Sequence, residues 1–352
     1  MPSSGRPRAR ADSAPPTGRS PGRRTRSWSR RAAYRSGPPP RGRAGPYWAT
    51  VTRDANLLTG FRLRNAEQQL GAYGIHLHRD GHESVEHRFR ADDRVNIYSG
   101  SKTFTSLAVG IARGEGLLEL EDAVVGFFDG TPVADGNERI TVRDLLQMSS
   151  GNPFNWFEPP QDSPTDIAAT WFGTEPVRPP GERFEYSNAS TYLLGRIVHA
   201  VSGQDVREYL MPRLFDPLGI AVPQWHRCPL GFPEAAKGLH LTTSEFARLG
   251  RLLLQDGQWD GTQLVPADYV GAMHTDIVDT THHGVDPESV AGYGYQVWNC
   301  TPDGAWRVDG KYGQFSIVLP AQRAVVTITA HNEKAPNDLL RAVWGEVLPR
   351  LR

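Results

Sequence analysis

The chain has 352 residues, 39 basic and 39 acidic side chains, and 38% apolar residues. That length supports one large domain or two fused lobes around a substantial core, and with no run of 18 or more apolar residues no transmembrane helix is expected. The neutral total hides an uneven spread, because residues 1–46 carry twelve Arg and one acid, Asp12, leaving the remainder with a net charge of −11.

The first 46 residues are rich in Arg, Ser, Pro and Gly and nearly free of aliphatics, so they lack the apolar surface needed to fold and read as a disordered tail. A basic arm of this kind suits nucleic acid or an anionic membrane, or it is a plain unstructured extension. The plain reading is preferred, and no nucleic-acid partner is expected. Arg23-Arg24 resembles a twin-arginine export signal, but no apolar segment follows it, which leaves the cytoplasm as the default compartment.

From residue 47 onward the pattern is that of one folded domain. Residues 52–70 read as a helix. Residues 71–79 and 83–90 read as extended, with Arg79-Asp80-Gly81 as the hairpin turn between them. From Ser99 to Gly114 the period is helical, with Phe104, Leu107, Ala108 and Ile111 on one stripe. A short helix over 140–148 opens at Thr141. Residues 152–182 are rich in Pro and aromatics and read as irregular. Further helices are predicted at 189–202, 205–215, 243–256 and 266–274. The period then changes to that of strands at 292–299, 305–309, 314–319 and 323–331, before a last helix over 337–348. Strands at both ends and helices between them predict an α/β fold. Its antiparallel sheet (70–98 with 290–352) is flanked by the terminal helices, and an all-helical lobe spans about 99–289. A site in the cleft between them follows. The two cysteines, Cys228 and Cys300, form no C-x-x-C and read as buried free thiols.

Lysine is scarce, at four residues against 35 Arg, and only lysine can lose its proton near neutral pH. One of the four, Lys102, follows Ser99 by three residues, which puts both on one face of a helix whose N-terminus favours negative charge. A serine hydroxyl needs a base within hydrogen-bond reach, and an ammonium becomes one when burial or a neighbouring cation lowers its pKa. Two further motifs follow in order. Tyr186-Ser187-Asn188 is the sole Y-x-N of the chain, and Lys311-Tyr312-Gly313 is its sole K-x-G.

The order S-x-x-K, Y-x-N, K-x-G resembles that of the penicillin-recognising serine enzymes: class C β-lactamases, penicillin-binding proteins and DD-peptidases, and family VIII esterases. The resemblance extends through Gly116-Leu117-Leu118, Asp144-Leu145-Leu146, Ser149-Ser150-Gly151, Gly181 to Asn188, Phe215-Asp216-Pro217-Leu218-Gly219 and Gly238 to Gly257, and so covers about residues 70–345. It implies Ser99 as nucleophile and Lys102 with Tyr186 sharing the proton transfers. Asn188 would contact the substrate amide or orient Lys102. Lys311 would supply positive potential that lowers the Tyr186 pKa. The backbone N–H groups of Ser99 and Gln314 would form the oxyanion hole. It also implies a small ester or amide substrate, a β-lactamase, a DD-peptidase or D-aminopeptidase, or a non-catalytic penicillin-binding sensor or scaffold being the other readings, and it needs no cofactor or metal. One departure concerns Tyr312, where the β-lactamases carry Thr or Ser, and this argues against strong β-lactam hydrolysis. Tyr312 and Gly313, with Trp156 and Phe157 from the aromatic loop, are the expected substrate-binding residues.

A zinc reading of His76-Leu77-His78-Arg79-Asp80-Gly81-His82 is disfavoured. Gly81 breaks the H-x-H-x-D-H spacing, and His76 and His78 share a strand face by period 2 alone.

Overall fold

The computed structural model describes residues 56–156 and 166–351. The basic stretch 1–46 and Phe157 therefore lie outside the described residues. Helix α1 (Thr59–Glu67) leads into a hairpin of β1 (Ala72–Arg79) and β2 (Val85–Arg88). Gly81 takes a φ of +77° in its turn, a conformation glycine adopts at little cost, and His82 N–H donates to Arg79 O at 3.1 Å. The short β3 (Val95–Asn96) precedes α2 (Ser101–Gly114). Then come α3 (Val142–Leu146), α4 (Ile167–Phe172), α5 (Asn188–Ser202), α6 (Val206–Leu210), β4 (His240–Leu241) and α7 (Thr243–Leu254). A small ribbon, β5 (Gln258–Trp259) with β6 (Thr262–Gln263), leads to α8 (Ala267–Thr275). The chain closes with β7 (Trp298–Asn299), β8 (Trp306–Gly310), β9 (Gln314–Leu319), β10 (Ala324–Ala330) and α9 (Asn337–Ala342), which widens into a further turn at Val343–Val347.

The main sheet is antiparallel with strand order β2-β1-β10-β9-β8-β7. Strand β1 pairs with β10 in a register that sets Ile75 opposite Ile328 and Leu77 opposite Val326, so the two ends of the described chain meet in one layer. Strand β10 is buried on both sides. Its Ala324, Val326, Ile328 and Ala330 join Phe315 and Ile317 of β9 in an apolar cluster with Phe61 of α1 and Leu339, Leu340, Val343 and Val347 of the C-terminal helix. The opposite face packs on α7. There Gly250 lets helix and sheet approach so closely that a Cβ would sit 2.3 Å from Ser316 Oγ and 2.4 Å from Val325 Cγ1. The second, larger cluster joins α2, α3, α5, α6 and α8 beyond α7.

Local signals account for most boundaries. Thr141 and Thr242 cap α3 and α7 through capping boxes with Asp144 and Glu245. Two regions differ from the sequence pattern. Only Trp298–Asn299 of the predicted strand 292–299 joins the sheet. The alternating Tyr293, Tyr295 and Val297 are buried in a tight reversal instead, in which Gly294 N–H donates to Val297 O at 2.9 Å and Gln296 takes a φ of +64°. Within the stretch read as irregular, Asp166 caps α4 by accepting from the N–H groups of Ala168 (3.0 Å) and Ala169 (3.2 Å). Among the described residues no helix is long and apolar enough to cross a membrane. Cys228 and Cys300 are free and buried, and burial pushes the Cys300 thiol up to about 11.

Candidate active site

Ser99 sits in a single tight turn, Tyr98–Gly100, between β3 and α2. The turn is held at a φ of +48° at Tyr98, a conformation unusual for a non-glycine residue and one that needs support from its surroundings. Asn96 Oδ1 accepts from Tyr98 N–H at 2.7 Å, and Ser101 Oγ donates to Tyr98 O at 2.6 Å. From the opposite side Leu239 N–H donates to Ser101 Oγ at 3.2 Å.

Lys102 lies one turn further along and is fully buried. Its Nζ meets Asn188 Oδ1 at 2.6 Å, Ala236 O at 2.8 Å and Ser99 Oγ at 3.3 Å. Burial, and after it the charge of Lys237, holds the Lys102 pKa well below the ordinary lysine value. The first two oxygens can only accept, so they take two N–H bonds. The third position of Nζ faces Ser99, and in the neutral amine that position is the lone pair.

Tyr186 and Asn188 are carried by the segment entering α5, where Ser187 is the N-cap and accepts from Ser190 N–H at 3.2 Å. Asn155 clamps this segment, donating from Nδ2 to Tyr186 O at 3.0 Å and accepting from Asn188 N–H at 3.2 Å. The Tyr186 hydroxyl is hydrogen-bonded to that of Ser99, and its ring lies 5.0 Å from Lys102 Nζ. Burial pushes the Tyr186 pKa above that of an ordinary phenol. The Ser99 hydrogen bond opposes this and Asp309 adds to it.

Ser99, Tyr186, Asn188, Lys311 and Tyr312 line one cleft of about 810 Å³, together with Tyr98, Lys237, His283, Trp298, Arg307 and Asp309. Lys311-Tyr312-Gly313 forms the β8–β9 turn, with φ values of +69° at Tyr312 and +95° at Gly313. Tyr312 packs edge-on against Tyr98 at 5.2 Å, so the third motif braces the turn that bears Ser99. Gly313 backs onto Leu339, and the buried Gln314 turns its side chain to Ala330 of β10. Trp156 needs correction as a substrate contact. Its ring is buried against Tyr192 in the helical core, and Lys237 Nζ stands over it at 5.3 Å, so the cation faces the cleft in its place. Asn155, Lys237 and Asp309 were not assigned roles from the sequence, because each acts through a loop or strand partner that no spacing reveals.

His76 and His78 share one face of β1, but His78 Nε2 pairs with Asp80 Oδ1 at 3.2 Å and Asp80 pairs with Arg323 at 2.8 Å. Among the described residues no group of three or more potential ligands converges on a metal position.

The sequence model of the family described as Beta-lactamase matches residues 63–345. The chain belongs to the beta-lactamase family. Within it, the chain is 34% identical over 150 residues to Protein flp of Staphylococcus aureus, a match that spans 39% of this chain and 30% of that protein's length. It is 25% identical over 298 residues to lovastatin esterase of Penicillium rubens, covering 63% of this chain and 73% of that one. Its fold is shared with a D-stereospecific amidohydrolase from Streptomyces sp., with a TM-score of 0.61 at 18% identity over 82% of this chain and 98% of the other. The family's members include serine hydrolases.

Proposed function

We propose that this protein is a serine esterase or amide hydrolase that works through an acyl-enzyme on Ser99. The observation that carries the reading is the position of Lys102 Nζ, buried and fixed by two acceptors with its remaining site aimed at Ser99 Oγ. In this mechanism neutral Lys102 accepts the Ser99 proton as Oγ attacks the substrate carbonyl carbon. The oxyanion that forms is met by the backbone N–H groups of Ser99 and Gln314. Collapse of the tetrahedral species breaks the bond to the alcohol or amine, which leaves with a proton delivered through the Tyr186 hydroxyl. Water then attacks the acyl carbon and gives its proton to the same pair; collapse of this second tetrahedral species breaks the bond to Ser99 Oγ, which takes the proton back as the acid leaves.

A phenol held above its usual pKa stays protonated, so Tyr186 is assigned the role of donor and relay, and Lys102 that of base. Lys237 and Lys311 add positive potential around the developing oxyanion, and Asn188 fixes Lys102. The esterase and amidase sides of the reading draw support from the lovastatin esterase and the D-stereospecific amidohydrolase respectively. Tyr312, in place of a hydroxyl donor of Ser or Thr size, weighs against efficient β-lactam turnover. The test pairs a short-chain p-nitrophenyl ester with nitrocefin, using the protein and its Ser99→Ala variant. Fast ester cleavage that vanishes in the variant, with slow nitrocefin cleavage, is expected. Ester turnover retained by Ser99→Ala would sink the reading, and fast nitrocefin turnover would move it to β-lactamase.

A further inference from the structure

Three of the chain's four lysines gather at one place: Lys102 is buried against Ser99, and Lys237 and Lys311 line the cleft. The polar partners of Lys102 are all neutral, and among the described residues no carboxylate pairs with it. Its ammonium form is therefore a buried charge without a counterion, and a second cation nearby weighs further against that form. The loop 234–238 supplies one. Ala236 gives Lys102 its carbonyl at 2.8 Å, and the next residue, Lys237, belongs to the lining of the cleft. The loop is pinned on both sides of this contact, because Thr105 Oγ1 donates to Ala235 O at 3.0 Å and Trp225 Nε1 to Lys237 O at 2.9 Å. The Lys237 side chain keeps only 14% exposure, with its Nζ 5.3 Å from the Trp156 ring and 3.9 Å from the Glu234 carboxylate. One stretch of backbone thus carries both the carbonyl that holds the base and a cation that faces the same cleft.

The other charges of the cleft lie along β8 and the turn after it. Arg307 and Asp309 pair at 2.8 Å, and Lys311, two residues further on, has its Nζ 4.7 Å from the Tyr312 ring. Burial keeps the His283 imidazole below its ordinary pKa and the Tyr186 phenol above its own, so both are neutral near pH 7. Of all these groups it is Lys237 whose charge bears on Lys102, second only to burial. We propose that Lys237 is a positioning residue of the Ser99 reaction, its charge keeping Lys102 in the neutral form that accepts the Ser99 proton. The proposal rests on the Ser99–Lys102 reading and names what regulates its base. The two effects open to Lys237 are separable. Help to the oxyanion raises the rate by one factor at every pH, whereas action on Lys102 moves the pH at which the reaction turns on.

The test follows the rate of Ser99 phosphonylation by an uncharged fluorophosphonate as a function of pH. The probe does not titrate, so the profile reports groups of the protein. The natural protein is compared with Lys237→Met, Lys237→Gln and Lys237→Arg, with Ser99→Ala as the control. Two neutral variants are used because the ammonium packs over Trp156 beside Glu234, and the one that folds with the thermal midpoint nearer the natural value is taken for the profile. Labelling of the natural protein is expected to rise with pH along an acid limb set by Lys102. In the neutral variant that limb is expected about one pH unit higher, which is a roughly tenfold slower rate on its acid side and a much smaller difference on the plateau. Lys237→Arg keeps the charge and is expected to recover at least half of the shift. An acid limb that stays in place in the neutral variant, with the rate unchanged or lowered by one factor at every pH, overturns the role of the Lys237 charge and leaves the Ser99 reading standing. A limb displaced as far in Lys237→Arg as in the neutral variant overturns it equally. Absence of Ser99-dependent labelling in the natural protein overturns both.

Discussion

Lys102 Nζ meets two oxygens that can only accept and one hydroxyl that can also donate, and this asymmetry gives Ser99 its assigned reactivity. The same reasoning fixes the sense of the pH dependence. The base is active when Lys102 is neutral, so kcat/KM rises with pH through the depressed Lys102 pKa, and Tyr186, held high by burial, does not limit the profile near neutrality. Tyr186→Phe should lower the rate on an alkyl ester by about 10²–10⁴, the usual worth of a positioned acid–base group. The loss should be smaller on a p-nitrophenyl ester, whose leaving group departs without a proton. Equal losses on both esters would contradict the donor role. At this scale the sequence was informative where chemistry needs a rare residue at a fixed spacing, as at Ser99 and Lys102. It was silent on Ala236, whose carbonyl reaches Lys102 from a loop held by an Ala235 φ of +58°, because any residue presents a carbonyl.

Helix α7 lies between the sheet and the helical core, and its fit depends on Gly250. An added methyl there would meet Ser316 Oγ and the Val325 side chain at 2.3–2.4 Å, inside a packed interface with little room to move. Gly250→Ala improves helix propensity by about 1 kcal/mol yet overpacks the interface, for which typical costs are about 1–3 kcal/mol. The expected outcome is net destabilisation, read as a lower midpoint in urea; a rise in the midpoint would show that the sheet yields. Elements of this kind were legible in the sequence through their caps and stripes, as with Thr242 and Glu245 of α7. The stretch 292–297 was not, because buried alternation in a glycine-bearing reversal has the same period as a strand.

At the scale of the whole molecule, the pairing of β1 with β10 follows from strands at both ends of the sequence, and the cleft falls where α2, α5 and the β8–β9 turn converge. The depth of individual groups did not follow, since burial on a strand between a sheet neighbour and α7 is a tertiary property. His76 is an example. Burial, assisted by the charge of Arg88, lowers its pKa to about 4 from an unfolded value of about 6.5. A histidine whose folded pKa is depressed contributes stability that is full above its unfolded pKa and is lost as pH falls toward the folded one. Between pH 6.5 and 4 this amounts to about 3 kcal/mol at most, and partial exposure reduces it. His76→Gln should therefore flatten the acid limb of stability measured by denaturant unfolding across that window, and an unchanged slope would place the acid sensitivity elsewhere.

The claim that Ser99 is a nucleophile activated by Lys102 is tested most directly by a fluorophosphonate probe. Labelling is followed by intact mass and mapped by proteolysis, in the natural protein and in Lys102→Arg. The account predicts one phosphonyl group per chain, on the peptide that contains Ser99. It predicts a labelling rate at least 10²-fold lower in Lys102→Arg, because a guanidinium does not give up its proton in a protein. Labelling at another residue, or undiminished labelling of Ser99 in Lys102→Arg, would contradict it.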